Sequence, residues 1–155
     1  MKQKTIVDII AALFVLLWVY AAISKLMDYE TFKVQLGKSP LLTNFAGFAA
    51  VAVPVSELVI AGMLLTNRFK LLGLYASLFM MTLFTAYIIA ILNFSYYIPC
   101  SCGGILSSLG WTEHVIFNLV FIALAIVAIL LSVAEQKPGN AARGSTEKPH
   151  LVPGV

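Results

Sequence analysis

The chain has 155 residues, of which 61% are hydrophobic and only 11% are charged, and its mean hydropathy is +0.96. Soluble domains carry about a quarter charged residues, so this composition excludes an ordinary soluble protein and indicates a single integral membrane domain. The net charge of +3 comes from scattered residues, which argues against nucleic acid as a partner.

Four apolar segments are long enough to cross a bilayer as helices, which takes roughly 20 residues each. We place them at about residues 6–24, 44–65, 71–94 and 112–133. The first segment lacks a small-residue cleavage site, so we expect a retained helix and not a signal peptide. Trp18 and Tyr20, near its far end, suit the aromatic belt of a membrane interface.

Residues 26–43, between the first two spans, alternate charged and apolar side chains at near-helical spacing until Gly37 and Pro40 interrupt the pattern. This pattern favours a short amphipathic helix that lies on the membrane surface, with a solvated loop as the alternative.

The predicted fold is all-α: an integral membrane four-helix bundle within residues 1–135, with a short amphipathic interfacial helix after the first span. Gly73 and Ser77 in the third span are a pair of small residues, which lets membrane helices approach closely. Proline and glycine accumulate in residues 136–155, where we expect a disordered tail.

Positive residues are distributed unevenly between the two ends of the predicted spans. The segment between the third and fourth spans has no lysine or arginine, and the end away from the amino terminus has few. By the positive-inside rule both termini are cytoplasmic, and that segment faces outward into an oxidising compartment. The positive residues on the amino-terminal side are Lys2, Lys4, Arg68, Lys70, Lys137, Arg143 and Lys148.

Both cysteines, Cys100 and Cys102, lie in this outward segment. A disulfide needs Cα atoms within roughly 4.4–6.8 Å, which residues two apart reach only where the chain bends. Pro99 before the pair and Gly103-Gly104 after it favour such a bend. A bridge this local removes little chain entropy, so the pair suits reversible thiol–disulfide chemistry better than structural stapling.

Other interpretations of the cysteines remain open. In the first interpretation, the cysteines are packing or lipid-facing residues. In the second, they are soft ligands for copper(I), with His114 and the methionines Met63, Met80 and Met81 as further ligands. A zinc site normally needs four ligands, so we assign no metal. His114 itself is a candidate to hydrogen-bond a thiolate or relay a proton, the alternative being a polar interfacial residue.

Glu57 is the one carboxylate deep within an apolar span, where ionisable groups are costly and usually functional or paired. A direct bridge to Lys25 requires the second span to begin late or Lys25 to reach inward. We expect a polar cluster in the outer half of the bundle that passes protons or holds a quinone headgroup. The alternative is an interhelical hydrogen-bond lock around a protonated Glu57. The members of this cluster are Tyr20, Glu57, Tyr87, His114 and Asn118.

Three sequence motifs follow one another along the chain. They are Ser24-Lys25-Leu26 with Phe32, Pro54-x-x-Glu57-Leu58 with Gly62, and Cys100-Ser101-Cys102-Gly103-Gly104. Together, and in this order, they resemble the MauE branch of the DoxX-like membrane proteins, over about residues 5–133. The resemblance implies a four-helix bundle in a bacterial inner membrane that assists maturation of disulfide-containing periplasmic proteins, often beside a thioredoxin-like partner. It also suggests a quinone link, since some DoxX relatives are linked to quinone-coupled oxidation of sulfur compounds.

One departure separates the chain from other four-helix thiol oxidases that use quinone. Those enzymes carry a Cys-x-x-Cys pair and usually a second pair, whereas this chain has only Cys100 and Cys102. A single pair then has to meet both the protein partner and the membrane electron carrier. Cys102 is the expected attacking sulfur, because it adjoins the two glycines and is nearer in sequence to His114.

The sequence therefore predicts an inner-membrane thiol–disulfide oxidoreductase, whose partner is a thioredoxin-like periplasmic protein or a secreted thiol substrate, with quinone as the candidate cofactor. The alternatives are a non-enzymatic assembly factor for periplasmic proteins and a copper(I)-handling protein. The candidate catalytic residues are Cys100, Cys102, His114 and Glu57, and the candidate cofactor-binding residues are Tyr20, Lys25, Tyr87 and Asn118.

Overall fold

The computed structural model describes residues 2–38, 43–94 and 111–143. Within these ranges the chain forms five α-helices and one short 3-10 turn, and the described residues contain no strand. The elements are α1 (Lys2–Met27), α2 (Tyr29–Lys38), the turn Thr43–Phe45, α3 (Ala46–Leu65), α4 (Lys70–Phe94) and α5 (Trp111–Arg143).

Four of the described helices are long and apolar enough to cross a membrane, so the predicted fold class is confirmed. Helical backbone in α5 continues to Arg143, past residue 135, where we expected the tail to begin. Residues 144–155 lie outside the described ranges. The four candidate spans are Lys2–Met27, Ala46–Leu65, Lys70–Ala90 and Thr112–Ala134.

The four long helices form a ring in which α1 packs against α3 and α5, and α4 packs against the same two helices. The pairs α1 with α4 and α3 with α5 lie on the diagonals. One face of α1 is buried, with side chains spaced three or four residues apart, as expected for a helix with one face inside a bundle. Its buried residues are Val7, Ile10, Ala11, Phe14, Trp18 and Ala22.

The short helix α2 is amphipathic, as predicted. Phe32 and Leu36 are four residues apart, so they share one face, and both are buried in a cluster with Ala46 and Ala50 of α3. Lys33, on the opposite face, is exposed. This arrangement places α2 against the amino-terminal end of α3.

The helices α3 and α4 approach closely beside the short turn that joins them. A Cβ atom added at Gly73 would lie 3.0 Å from the side chain of Leu64 and 3.2 Å from its backbone nitrogen. A larger residue at position 73 would therefore push the two helices apart. The prediction that Gly73 allows close helix packing is confirmed.

Trp18 lies in the centre of the bundle and is only 1% exposed. Its indole Nε1 donates a hydrogen bond of 3.0 Å to Ser77 Oγ, and its ring centroid lies 6.5 Å from Phe14 and 6.2 Å from Phe84. The placement of Trp18 in an interfacial aromatic belt was wrong, because Ser77 satisfies the indole N–H inside the protein.

Candidate functional site

An ion pair between α1 and α3 is the centre of the polar cluster. Lys25 Nζ donates a hydrogen bond of 2.8 Å to Glu57 Oε1. The Glu57 side chain is fully buried and that of Lys25 is 11% exposed. Since an isolated charge is costly inside a membrane protein, each group makes the other tolerable.

The direction of side chains on a helix explains how this pair forms. Side chains lean toward the amino-terminal end of their helix, so Lys25 extends back along α1, where its Nζ also contacts the Ala21 carbonyl oxygen at 3.3 Å. Glu57 lies on α3, which runs antiparallel to α1 as the next span, so its side chain leans in the opposite direction. The two side chains therefore approach each other, and Lys25 reaches inward.

Two aromatic rings lie beside the ammonium group. Lys25 Nζ is 5.9 Å from the centroid of Phe32 and 5.8 Å from that of Phe84. Both distances fall in the range of a cation–π interaction, which is attractive where water is excluded. The rings therefore hold the charge of Lys25 in place and separate it from solvent.

Two adjoining cavities open beside the ion pair and share the side chains of Lys25, Phe84, His114 and Asn118. The smaller has a volume of about 50 Å³ and reaches Glu57. The larger has a volume of about 270 Å³ and extends between α2, α3 and α4. Its remaining described lining is mostly apolar and comprises Phe32, Leu36, Ala49, Val53, Leu83, Tyr87 and Ile88.

Two buried polar atoms that line the smaller cavity have no hydrogen-bond partner among the described residues. They are Glu57 Oε2 and Asn118 Nδ2, a carboxylate acceptor and an amide donor. Buried polar atoms in folded proteins are nearly always satisfied, by protein groups or by bound molecules. These two unsatisfied atoms therefore mark a place where a small polar group is expected to bind.

The structure brings most of the predicted cluster together. Glu57, His114 and Asn118 line the smaller cavity, and Tyr87, His114 and Asn118 line the larger one. His114 and Asn118 are buried and four residues apart, hence on one face of α5. Tyr20, in contrast, is half-buried on α1 and lines neither of these two cavities.

Cys100 and Cys102 lie outside the described residues. Their segment, residues 95–110, connects the end of α4 to the beginning of α5. Among the described residues, no group of three histidine, cysteine or acidic side chains is placed to hold a metal ion. The copper(I) alternative depends on the two cysteines themselves.

Three aromatic residues that line the smaller cavity were absent from the predicted site. They are Trp18, Phe84 and Phe117. A signal for Trp18 was present, since Trp18, Ala21 and Lys25 are spaced three and four residues apart and so share one face of α1. The other two rings are contributed by α4 and α5, and their position depends on how those helices pack.

Comparison with known proteins identifies the family. The family profile of methylamine utilisation protein MauE matches residues 3–131, which includes all four spans apart from their outermost residues. No curated protein and no solved structure matches the chain at a significant level. The match covers most of the chain, and the chain is therefore a multi-pass membrane protein of the MauE family.

Proposed function

We propose that this protein is a thiol–disulfide oxidoreductase of the bacterial inner membrane, with both termini cytoplasmic and Cys100 and Cys102 on the periplasmic side. The observation that carries the proposal is a connection in the chain. The segment with both cysteines enters α5 three residues before His114, which lines the cavities beside the Lys25–Glu57 pair. The only two cysteines of the sequence are thus joined by a short stretch of backbone to the helix that carries His114.

The chemistry at the cysteines is disulfide exchange. A thiolate of a thioredoxin-like periplasmic protein, or of a secreted thiol substrate, attacks the Cys100–Cys102 disulfide and forms a mixed disulfide. A second partner thiolate then resolves it, so the partner leaves oxidised and the protein keeps two thiols. A membrane quinone bound in the cavities would take up the two electrons and two protons of these thiols as a quinol, and the Cys100–Cys102 disulfide would be restored.

The polar cluster supports the proton side of this reaction. His114 is the candidate to exchange a proton with a cysteine sulfur, and Glu57 is the second buried group that can carry one. Lys25, Tyr87 and Asn118 line the cavities where the headgroup of a quinone would lie. Tyr20 lines neither cavity, so we leave it out of the proposed quinone site.

Membership of the MauE family supports a role in maturation. We infer that the protein acts in the maturation of a disulfide-containing periplasmic protein, the role that the resemblance to this family implies. The relationship of the family to the wider DoxX-like proteins is part of the same proposal, since it is the source of the quinone link.

The decisive experiment traps the mixed disulfide in cells. Each cysteine is replaced singly in the full-length protein, thiols are blocked with acid and alkylating agent, and covalent adducts are identified by mass spectrometry. We expect Cys100→Ala to accumulate an adduct through Cys102, and Cys102→Ala to accumulate little. Ser101→Ala is the matched control, because it removes a polar side-chain group of similar size from the same segment and leaves both cysteines in place.

The contrary outcome is equally clear. If neither single variant forms an adduct, and a Cys100→Ser/Cys102→Ser variant still supports maturation of the periplasmic protein, exchange at these cysteines is excluded. The protein would then be a non-enzymatic assembly factor.

A further inference from the structure

We propose that the two cavities form one binding site for an uncharged molecule of the phenol or hydroquinone class, with its ring in the larger cavity and a hydroxyl group in the smaller one. The inference deepens the proposed function, in that a quinol is the reduced carrier of that reaction. It rests, however, on features of the cavities that do not involve the cysteines.

The hydroxyl group follows from the two unsatisfied atoms. Glu57 Oε2 needs a hydrogen-bond donor, and Asn118 Nδ2 needs an acceptor. A hydroxyl group supplies both at once, whereas an ether or a hydrocarbon leaves the carboxylate oxygen unsatisfied. Both atoms belong to side chains more than nine-tenths buried, so a ligand that satisfies them gains more than it would at a solvated surface.

The absence of charge on the ligand follows from the ion pair. Glu57 and Lys25 already compensate each other at 2.8 Å. Apart from the imidazole of His114, the described lining residues offer no further ionisable side chain close to this ion pair as a counter-ion, so an additional charge would carry most of its desolvation cost. The site therefore favours a neutral headgroup over a carboxylate, a phosphate or an amine.

The ring follows from the size and lining of the larger cavity. An engineered apolar cavity of roughly 150 Å³ binds benzene. The larger cavity, at about 270 Å³, has room for a substituted ring. Phe32, Phe84 and Tyr87 lie along it, and aromatic rings prefer such neighbours.

Access from the bilayer follows from the arrangement of α3 and α4. These helices touch at Leu64 and Gly73, and farther from the turn Val53 of α3 and Leu83 of α4 both line the larger cavity. Leu83 is 50% exposed, so this part of the cavity wall faces outward along the apolar side of α4. A lipid-soluble ring can therefore enter sideways from the membrane without crossing water.

The test is a binding measurement on the full-length protein in lipid nanodiscs, with Trp18 as the reporter because it lines the smaller cavity. A Trp111→Phe replacement leaves Trp18 as the single tryptophan. Quenching is titrated with trimethylhydroquinone and, separately, with its dimethyl ether, which keeps the ring but has no donor. We expect the hydroquinone to bind at least about tenfold more tightly, the value of one hydrogen bond to a buried charged group.

Two variants locate the hydroxyl group. Glu57→Gln should reduce the preference for hydroquinone over ether by about tenfold or more, because it removes the carboxylate that accepts from the hydroxyl group. Asn118→Leu should weaken the binding of both compounds by about threefold or more, because it removes a donor that either oxygen can accept from. Asn93→Leu is the matched control, because Asn93 is exposed and its Nδ2 bonds the Ile89 carbonyl of its own helix. Thermal unfolding of each variant shows whether it is folded, and Asn118→Leu keeps the test valid if Glu57→Gln does not fold.

Equal affinity for hydroquinone and ether would overturn the inference, since the smaller cavity would then hold water alone. An undiminished affinity for hydroquinone in Asn118→Leu would overturn it as well. The titration is repeated in a Cys100→Ser/Cys102→Ser background, where disulfide exchange is impossible. If the hydroquinone preference persists there while the trapping experiment fails, the binding site stands and thiol–disulfide exchange is excluded. If trapping succeeds while the preference is absent, exchange stands and the binding site is excluded.

Discussion

Among the described residues, two lysine–carboxylate pairs connect α1 to its neighbours, one near each end of the helix, and they differ mainly in exposure. Near its beginning, Asp8 Oδ1 lies 2.6 Å from Lys70 Nζ of α4, with side chains 45% and 18% exposed. Near its end, Lys25 pairs with Glu57 of α3 at 2.8 Å, with side chains 11% and 0% exposed. The chemistry is the same, but the surroundings are not.

The difference shows what each pair does. In the exposed pair, water interacts with each charge almost as favourably as the partner does. Such pairs therefore contribute only about 0–1 kcal/mol to the free energy of unfolding. A buried pair loses hydration on both sides, so it seldom stabilises a fold more than apolar residues of the same size would. We infer that the Asp8–Lys70 pair only adjusts how α1 packs against α4. The Lys25–Glu57 pair, in contrast, serves the binding site beside it.

The largest expected effect comes from breaking the buried pair on one side. Lys25→Met leaves the Glu57 carboxylate buried without its counter-ion and should lower the free energy of unfolding by about 3–5 kcal/mol. Detergent denaturation followed by circular dichroism measures this change. The loss should be insensitive to salt, because the pair is shielded from solvent.

Replacing both partners sharpens the comparison. Lys25→Met combined with Glu57→Leu removes both charges and should return the free energy of unfolding to within about 1 kcal/mol of the unmodified protein, or above it. The same double variant should lose the preference for hydroquinone over its ether. If the double variant is as unstable as Lys25→Met alone, the pair holds the fold together and our comparison is wrong.

An intermediate effect is expected where close packing holds α3 against α4, at the end of the bundle with the exposed pair. Gly73→Ala places a methyl group 3.0 Å from the Leu64 side chain, and overpacking of this kind costs about 1–3 kcal/mol. Gly62→Ala, in α3, is the matched control, because a Cβ there meets no atom within 4 Å. The control should be neutral or stabilising, since alanine favours helix by up to about 1 kcal/mol. Equal losses in the two variants would refute the importance of the Leu64 contact.

The smallest effect belongs to the exposed pair. Asp8→Asn should lower the free energy of unfolding by no more than about 1 kcal/mol in low salt. At about 1 M salt, where the screening length is roughly 3 Å, the difference from the unmodified protein should disappear. A loss as large as that of Lys25→Met would show that exposure does not distinguish the two pairs.

Much of the fold was predictable because each prediction concerned one segment at a time. The thickness of a bilayer sets the length and composition of a span, and these properties identified all four crossing helices. The spacing of Phe32 and Leu36 identified α2 by the same local reasoning. Gly73 was recognised because only a small residue permits close approach.

The surroundings of Trp18 and Tyr20 could not be predicted from one segment at a time. Both residues lie in the carboxyl-terminal part of the first span, and depth alone could not distinguish their surroundings. Rotation of α1 in the bundle turns Trp18 toward Ser77, while Tyr20 lines neither cavity. A rotation of this kind depends on contacts with α3, α4 and α5 together.

The sequence by itself determined that this protein is a bundle of four apolar helices with a short amphipathic helix after the first of them, because the bilayer imposes its demands on each segment separately. Only the tertiary structure decided that Lys25 leans back to reach Glu57, and that a cavity with two unsatisfied polar atoms lies beside them. Such details depend on the relative rotation and spacing of helices, which are collective properties of the packed bundle.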